Sequence, residues 1–279
     1  MQQHKPGQLS EILASSILIA GQKGLPAHQV KLLLSDITGI SVPALTLSSD
    51  YILSGKQSAL FDYYLRRLLQ GEPLQYIIGK AYFFALELLV NEAVLIPRPE
   101  TEGLVDWICS RVKGRQTVLD IGTGSGAIAL ALKHLNPAFR ITATDISANA
   151  VKLARKNASR LGLAVKFEVA DLFPKAKNTF NIIVSNPPYI SKTDYEKLDA
   201  VVRCNEPKPA LYAGRDGLHF YRCILSNAGR YLQESGKIYL EIGETQGNKI
   251  KDIASEHGFT GFELRQDLAG RDRYLCITG

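Results

Sequence analysis

The chain has 279 residues, more than the roughly 100 to 200 typical of one domain, so we expect two domains or one large one. Hydrophobic residues make up 46% and charged residues 22%, which excludes a disordered chain, a collagen-like repeat and a small disulfide-rich scaffold. The net charge of +6 lies mostly in residues 91–279, and this mild excess identifies no partner by itself.

The first seventy or so residues predict short helices. Residues 1–16 hold Pro, Gly and Glu where a signal peptide has a basic cluster and an apolar core, so we expect no targeting signal. Apolar residues recur at helical spacing, with one helix beginning near Pro26 and ending at Gly39, and the last over 59–70. Because this region has no nucleophile, metal cluster or glycine-rich loop, we predict an all-helical binding or supporting domain over residues 1–74.

Residues 75–96 change to a β-type pattern of aromatic and branched residues, which predicts a β-hairpin linker. Over residues 97–279 strands and helices alternate, and this predicts a Rossmann-like α/β domain with a mostly parallel seven-stranded sheet. Right-handed crossovers place ligand sites at the carboxyl ends of such strands. The predicted strands cover 117–121, 141–144, 165–169, 181–184, 237–242, 258–264 and 273–277. The predicted helices cover 127–134, 148–161, 218–232 and 246–257.

A glycine-rich turn follows the first of these strands and opens a helix. Glycines allow positive φ and let a ligand approach the backbone without a Cβ in the way. A dinucleotide site uses a similar turn, but here Asp120 precedes the glycines and the spacing is GxGxG rather than GxGxxG. The turn consists of Gly122, Thr123, Gly124, Ser125 and Gly126.

Acidic residues follow the next two strands. Asp145 is placed to accept hydrogen bonds from two ribose hydroxyls. Asp171, followed by Leu172 and Phe173, can bind the exocyclic amine of adenine and cover its ring. Each acid alone fits a helix cap as well, but the glycine turn and both acids together favour S-adenosylmethionine over a dinucleotide. That cofactor has no phosphate, and the start of the helix accordingly has no Lys or Arg.

The fourth predicted strand runs into Asn186-Pro187-Pro188-Tyr189. Two consecutive prolines fix the backbone and remove two N–H donors, which leaves carbonyl groups free to point into a site. The Asn186 side-chain oxygen and the Pro187 carbonyl then offer two acceptors to the two hydrogens of a planar –NH2 group, and the Tyr189 ring flanks it. A rigid proline turn is the structural alternative. After a cofactor loop of this kind, the motif favours methylation of a nitrogen conjugated to an sp² carbon, with Asn186, Pro187 and Tyr189 as catalytic residues.

The Asn-Pro-Pro-Tyr signature occurs in methyltransferases of adenine, guanine and glutamine alike, so it leaves the acceptor open. Further motifs narrow the choice. Residues 71–79 (GEPLQYIIG) and 95–102 (LIPRPETE), with the glycine turn and Asn186–Tyr189, resemble the HemK/PrmC family of peptide chain release factor glutamine methyltransferases. Matching residues within 202–217 and at 240–243 extend the resemblance from about residue 10 to the C-terminus.

The resemblance implies a class I methyltransferase domain behind a helical domain that grips a release factor. It implies transfer of a methyl group from S-adenosylmethionine, leaving S-adenosylhomocysteine, to the glutamine amide of the factor's Gly-Gly-Gln loop. The resemblance also implies which residues contact the cofactor. They are the glycine turn, Asp145, Asp171, Leu172, Phe173 and Asn186. The glutamine is held by Asn186, Pro187, Pro188 and Tyr189. We expect a monomer with no stable nucleic-acid binding and no membrane contact.

Two other functions remain open from the residues themselves. One is a nucleic-acid N-methyltransferase acting on adenine or guanine, but such enzymes extract a base and usually have a basic face. The near-neutral first ninety residues argue against it. The other is a non-catalytic adaptor that has kept the fold, which the intact glycine turn and Asn-Pro-Pro-Tyr motif argue against.

Residues outside these motifs have more general interpretations. Residues 97–102 fit a turn followed by a capped helix, and also a segment that closes over cofactor or substrate. Arg98 can pair with a backbone group or an acid. Glu241, at a strand end, fits a structural carboxylate somewhat better than a catalytic one. The histidines show no metal-like spacing, so we expect no metal site. The cysteines form no CxxC pair, so we interpret them as buried thiols in a reducing cytoplasm. They are Cys109, Cys204, Cys223 and Cys276.

Overall fold

The structure, a computed structural model, describes residues 7–176 and 178–279. The first six residues of the stretch expected to carry no targeting signal, with His4 among them, lie outside these ranges. The chain divides into two compact units, Met1–Gly79 and Lys80–Gly279, and each is described by itself. The domain boundaries at residues 74 and 96 stay predictions.

The first unit is helical, as predicted. Its core is formed by buried aliphatic residues and Phe61, which the helices present to one another. The last long helix begins earlier than the predicted 59–70 because Ser54 and Gln57 form a reciprocal capping box at its start. The helices are α1 (Leu9–Gly21), α2 (Ala27–Thr38), α3 (Val42–Leu45), α4 (Gly55–Leu69) and α5 (Leu74–Ile78).

The second unit opens with an antiparallel hairpin of β1 (Lys80–Phe83) and β2 (Leu86–Leu89). Its described residues then form a seven-stranded sheet in the order β5-β4-β3-β6-β7-β9-β8. The first five strands of this order are parallel, and β9 lies antiparallel between β7 and β8, which confirms the mostly parallel α/β fold. The strands are β3 (Thr117–Ile121), β4 (Arg140–Asp145), β5 (Lys166–Val169), β6 (Phe180–Ser185), β7 (Leu232–Glu241), β8 (Gly261–Gln266) and β9 (Asp272–Thr278).

Helices cover both faces of this sheet. One face packs against α6, α7 and α8 and the hairpin, and the other against α11 and α12. Helix α6 approaches β9 so closely that a Cβ on Gly103 would lie 2.2 Å from the Tyr274 hydroxyl, so only glycine fits there. The helices are α6 (Pro99–Arg111), α7 (Ala127–Leu135), α8 (Ala148–Leu161), α9 (Lys192–Glu196), α10 (Ala200–Asn205), α11 (His219–Ala228) and α12 (Gly247–Glu256), with a 3₁₀ turn at Lys208–Ala210.

The predicted boundaries around β7 and β8 are also wrong. The helix predicted over 218–232 ends at Ala228, because Leu232 pairs with Phe180 and opens β7. The strand predicted over 258–264 begins at Gly261, because Gly258 has φ +87° and turns the chain after α12. In both places a tertiary contact or a turn decides the boundary, and the local hydrophobic pattern does not.

The cysteines differ in burial more than their sequence pattern indicated. Cys276 is buried, whereas Cys204 is exposed, because α10 buries none of its residues. The interpretation of all four as buried thiols is therefore wrong for Cys204. Within residues 7–176 and 178–279, no helix is long and apolar enough to cross a membrane.

Candidate active site

The predicted site residues converge on the carboxyl edge of the parallel strands. In the sheet register Ile121 lies beside both Thr144 and Ser185, so the residues that follow these three strands meet at one level. Between β3 and β6 the crossovers diverge to opposite sides, and ligands of open α/β sheets bind in the crevice at such a switch point. The structure brings Gly122, Asp145 and Asn186 to this crevice.

The glycine turn leaves open space above its backbone. Gly122 has φ +72° and Gly124 has φ +56°, and no atom lies within 4 Å of the position that a Cβ would take on either. The Gly126 position is different, since a Cβ there would lie 3.0 Å from Leu130. Gly122 and Gly124 thus allow a ligand to approach the main chain, whereas Gly126 allows close packing behind it.

Asp120 lies beneath the turn as a buried acid. Its Oδ2 accepts a 2.6 Å hydrogen bond from the Thr123 hydroxyl. Its Oδ1 is buried and accepts no hydrogen bond from the described residues. Burial raises the pKa of Asp120 to about 7, against the opposing effect of the Thr123 hydrogen bond. An acceptor left unpartnered beneath an open glycine turn fits a site that is completed by a ligand carrying hydrogen-bond donors.

Asp145 ties the end of β4 to the glycine turn. Its Oδ2 accepts from the Gly124 N–H and its Oδ1 from the Ser147 N–H, both at 2.9 Å. Each carboxylate oxygen keeps a second lone pair, so two hydroxyl groups can still be accepted. Burial raises the pKa of Asp145, and the two backbone hydrogen bonds oppose that rise.

Asp171, Leu172 and Phe173 follow β5 in an irregular turn. Leu172 has φ +60°, and its carbonyl accepts a 2.6 Å hydrogen bond from the Thr144 hydroxyl. Asp171 is exposed, and the Phe173 ring stacks on Tyr231 with centroids 4.5 Å apart. The turn is therefore fixed against β4, the strand that carries Asp145. The predicted adenine contacts of these residues stay predictions.

The side-chain amide of Asn186 has a hydrogen-bond partner at its NH2 end. Its Nδ2 donates a 3.0 Å hydrogen bond to the Thr101 hydroxyl, and no described residue donates to its Oδ1. Pro187 is buried, and Tyr189 packs against the apolar layer of α11 and α12. Burial raises the pKa of Tyr189 to about 12, so its phenol is neutral at physiological pH. The arrangement presents an amide oxygen and an uncharged ring at the end of β6.

Gln246 holds the far end of the same motif. Its Nε2 donates to the carbonyls of Tyr189 and Gly217 at 3.0 and 3.2 Å, and its Oε1 accepts from the Gly243 N–H at 3.0 Å. A Cβ on Gly217 would lie 2.5 Å from the Tyr189 carbonyl oxygen, so the two segments touch directly. One side chain thus joins the backbone after β6 to that after β7.

The Gln246→Leu variant is expected to lose about 1–3 kcal/mol in free energy of unfolding, because three partly buried backbone groups lose their partner. Urea denaturation at constant m-value measures this loss. Gln266→Leu is the matched control, since that exposed amide bonds only to the Asp272 carboxylate at 3.3 Å. Equal stabilities of the two variants would contradict the joining role of Gln246.

The chain segment after Tyr189 forms a closed excursion. The Ile190 N–H donates to the Leu211 carbonyl and the Ala213 N–H donates to the Ile190 carbonyl, at 3.0 and 2.9 Å. Residues 191–211 therefore form a loop whose two ends meet at Ile190. The Arg98 guanidinium, at the start of α6, forms a 2.5 Å ion pair with the buried Glu206 within this segment. Arg98 thus pairs with an acid, one of the two partners expected for it.

No group of three or more His, Cys, Asp or Glu residues within the described ranges is arranged to hold a metal ion.

Comparison with known proteins identifies the family. Residues 13–79 match the PrmC N-terminal domain, and residues 101–203 match the Methyltransferase small domain. A release factor glutamine methyltransferase of Agrobacterium fabrum is 40% identical across 94% of this chain and 96% of its own. The chain belongs to the release factor glutamine methyltransferase family. A Bacillus subtilis member of this family is 38% identical across 94% of both chains. The resemblance predicted from the motifs is confirmed.

A solved structure supports the fold of this family member. A methyltransferase from Pyrococcus furiosus superposes with a TM-score of 0.55 and covers 78% of this chain and 98% of its own, at 19% identity. At that identity the likeness concerns the fold alone.

Sequence reasoning missed one residue that supports the glycine turn in this release factor glutamine methyltransferase family member. Asn157 on α8 donates to the carbonyls of Ser125 and Leu89, at 2.9 and 3.0 Å, and accepts from the Leu89 N–H at 2.8 Å. It is buried and joins the glycine turn to β2. The available signal was an asparagine on the apolar face of an amphipathic helix, between Ala154 and Ala158.

Proposed function

We propose that this chain transfers a methyl group from S-adenosylmethionine to the side-chain amide nitrogen of a glutamine in a peptide chain release factor. The observation that carries the proposal is the likeness to release factor glutamine methyltransferases, which covers 94% of this chain and 96% of the relative. We further propose that this glutamine belongs to the factor's Gly-Gly-Gln loop.

The residues at the carboxyl edge of the sheet fit the cofactor. Open backbone at Gly122 and Gly124, the unpartnered Asp120 oxygen and the remaining lone pairs of Asp145 suit a ligand with an amino group and ribose hydroxyls. When bound, S-adenosylmethionine supplies a methyl group activated by its sulfonium charge. The glycine turn from Gly122 to Gly126, with Thr123 and Ser125, holds the cofactor in this proposal. The other cofactor contacts are Asp145, Asp171, Leu172, Phe173 and Asn186.

Asn186, Pro187, Pro188 and Tyr189 hold the glutamine amide. An amide nitrogen is a poor nucleophile because its lone pair is delocalised. The Asn186 Oδ1 and the Pro187 carbonyl accept its two hydrogens, which increases electron density on the nitrogen and aims it along one direction. Positioning of this kind contributes a large part of catalysis when the reacting atoms must be in line. The nitrogen becomes strongly acidic once methylated, so its proton leaves without a dedicated base.

The helical first unit supplies the protein-recognition surface in this proposal. Leu47 is 88% and Ile52 64% exposed, so both side chains are available for an apolar contact in this proposal. The near-neutral charge of this region favours recognition by shape and apolar contact over recognition by charge. Residues 1–74 are thus the proposed release-factor-binding domain, 75–96 the linker and 97–279 the catalytic domain.

We extend the proposal to the assembly and location of the protein. The chain acts as a monomer in the cytoplasm, where release factors meet the ribosome, and it forms no stable complex with nucleic acid. Sedimentation equilibrium of the pure protein and retention of labelled RNA on filters measure the two molecular properties directly.

A labelling experiment tests the proposed reaction. The wild-type protein is incubated with methyl-labelled S-adenosylmethionine and, separately, with purified release factor, the same factor with its loop glutamine changed to alanine, duplex DNA and ribosomal RNA. Label is expected on the unchanged factor alone, and mass spectrometry of its tryptic peptides locates the methyl group on the loop glutamine. Label on nucleic acid, or equal label on the factor that lacks the glutamine, overturns the proposal.

A further inference from the structure

A hydrogen-bonded series of three side chains connects the end of β7 to Asn186. The Thr101 hydroxyl donates to Glu241 Oε2 at 2.6 Å, and the Asn186 Nδ2 donates to the same hydroxyl oxygen at 3.0 Å. Glu241 is 1% and Thr101 5% exposed, so water does not compete for these bonds. Thr101 lies in the first turn of α6, Glu241 ends β7 and Asn186 follows β6, all within the same unit.

Donor and acceptor counting gives this series a direction. An ionised carboxylate only accepts hydrogen bonds, and a threonine hydroxyl has one hydrogen to donate. Because Glu241 takes the Thr101 hydrogen, the Thr101 oxygen can only accept from its other neighbour. Of the two ends of the Asn186 amide, only the NH2 group can donate a hydrogen bond to the Thr101 oxygen. The oxygen of that amide is therefore turned away from Thr101, toward the cleft.

We propose that Glu241 and Thr101 are positioning residues that hold the Asn186 amide with its oxygen toward the substrate nitrogen. This inference rests on the proposed function, in which that nitrogen belongs to a glutamine side chain. In the opposite orientation the Asn186 NH2 would face the substrate NH2, donor against donor. With the oxygen outward, an –NH2 group is accepted, whereas the carboxylate of a glutamate would meet a second acceptor. Glu241 acts on specificity without touching the substrate.

The direction of the hydrogen bonds between Glu241, Thr101 and Asn186 depends on pH, because Glu241 can take up a proton. Burial raises its pKa to about 7, opposed by hydrogen bonds from the Thr101 hydroxyl and the Asn186 side chain and by the Arg273 charge. A protonated Glu241 can donate to the Thr101 oxygen, which frees the Thr101 hydrogen to bond the Asn186 oxygen and reverses the amide. The orienting form is the ionised one, so it is present above pH 7 and lost as pH falls through that value. The titratable groups that face Glu241 are Glu100 on α6, Tyr189 after β6, Tyr221 on α11, and Arg273 and Tyr274 on β9.

Three variants test the proposal by turnover. Thr101→Val removes the hydroxyl at nearly constant volume and is expected to lower kcat about 10- to 100-fold, as loss of an orienting partner does elsewhere. The KM for release factor and the Kd for cofactor are expected to stay near the wild-type values. Thr101→Ser, which restores the hydroxyl, recovers most of the lost turnover. In the wild type, kcat is expected to decline between pH 8 and pH 6 as Glu241 takes up a proton. Glu241→Gln removes this ionisable group, so the decline of kcat over that range should flatten.

A spectroscopic readout makes the proposal independent of turnover. The side-chain amide signals of Asn186 in a ¹⁵N correlation spectrum, assigned by their absence in Asn186→Ala, are expected to titrate near pH 7 in the wild type. In Thr101→Val and Glu241→Gln they should be displaced and no longer titrate there. Thr179→Val is the matched control, since that threonine is exposed before the opposite end of β6.

The outcomes separate the two proposals. If wild-type protein methylates the release factor but Thr101→Val keeps its kcat and pH profile, the positioning role is wrong and the proposed function stands. A Thr101→Ser variant as slow as Thr101→Val also overturns it, because the hydroxyl is then not the cause. If wild-type protein labels nothing, the proposed function fails. In that case an Asn186 signal unchanged in Thr101→Val overturns the orientation, and a displaced signal supports it.

Discussion

The Asn186→Ala variant is expected to lose about 10²–10³-fold in kcat, the range seen when one group that contacts the developing charge is removed. Alanine cannot accept a hydrogen of the substrate amide, so the nitrogen is neither oriented nor enriched in electron density. Single-turnover transfer of label to release factor measures the effect. Cofactor binding, followed by isothermal titration, should remain measurable, because the glycine turn and Asp145 do not depend on this side chain.

The chain offers a matched control for that change. Asn178→Ala alters the same residue type at the opposite, amino end of β6, where the side chain is exposed. This variant should methylate at the wild-type rate. Substantial turnover by a folded Asn186→Ala protein would show that the amide of the substrate is held by other groups.

The Gly124→Ala variant is expected to weaken cofactor binding strongly and to lose about 1 kcal/mol of stability through strain at its positive φ. The open space above Gly124 is where a ligand approaches the backbone, and one added carbon in a close-packed contact costs about 1–3 kcal/mol. That corresponds to about a 5- to 150-fold rise in Kd for S-adenosylmethionine. Isothermal titration measures the affinity, and thermal melting measures the stability.

Gly162→Ala separates backbone strain from ligand contact. Gly162 has φ +65° at the end of α8 and, like Gly124, has no atom within 4 Å of a would-be Cβ. Both variants therefore carry a similar strain of about 1 kcal/mol from alanine in the left-handed region. Only Gly124→Ala should lose cofactor affinity. Equal affinity in the two variants would contradict a ligand site above the glycine turn.

Features governed by local sequence were predicted well. The glycine turn, the acid that ends β4 and the Asn-Pro-Pro-Tyr segment are each continuous stretches, and the alternation of strands and helices places them at one edge of the sheet. The parallel α/β fold and the helical first region follow from hydrophobic periodicity alone. No structure was needed for these parts.

Features that depend on distant pairs were not predictable. Thr101 and Glu241 are 140 residues apart in the chain, and each alone is compatible with a helix cap or a structural carboxylate. Their meeting depends on how α6 packs against β7, which no local pattern encodes. The same holds for Asn157 with the glycine turn and for Leu232, whose strand pairing with Phe180 overrode its helical pattern.

The closed excursion of residues 191–211 has a consequence for divergence among relatives. Its ends meet at Ile190, so insertions, deletions or whole-loop exchange between them leave the spacing of the sheet unchanged. Loop closure entropy grows only slowly with length, so such changes cost little stability as long as the ion pair between Arg98 and the buried Glu206 is kept. The segment adjoins Tyr189, so its length can vary while the Asn-Pro-Pro-Tyr geometry stays constant. Relatives can therefore differ in the length of this loop and still share the same site geometry.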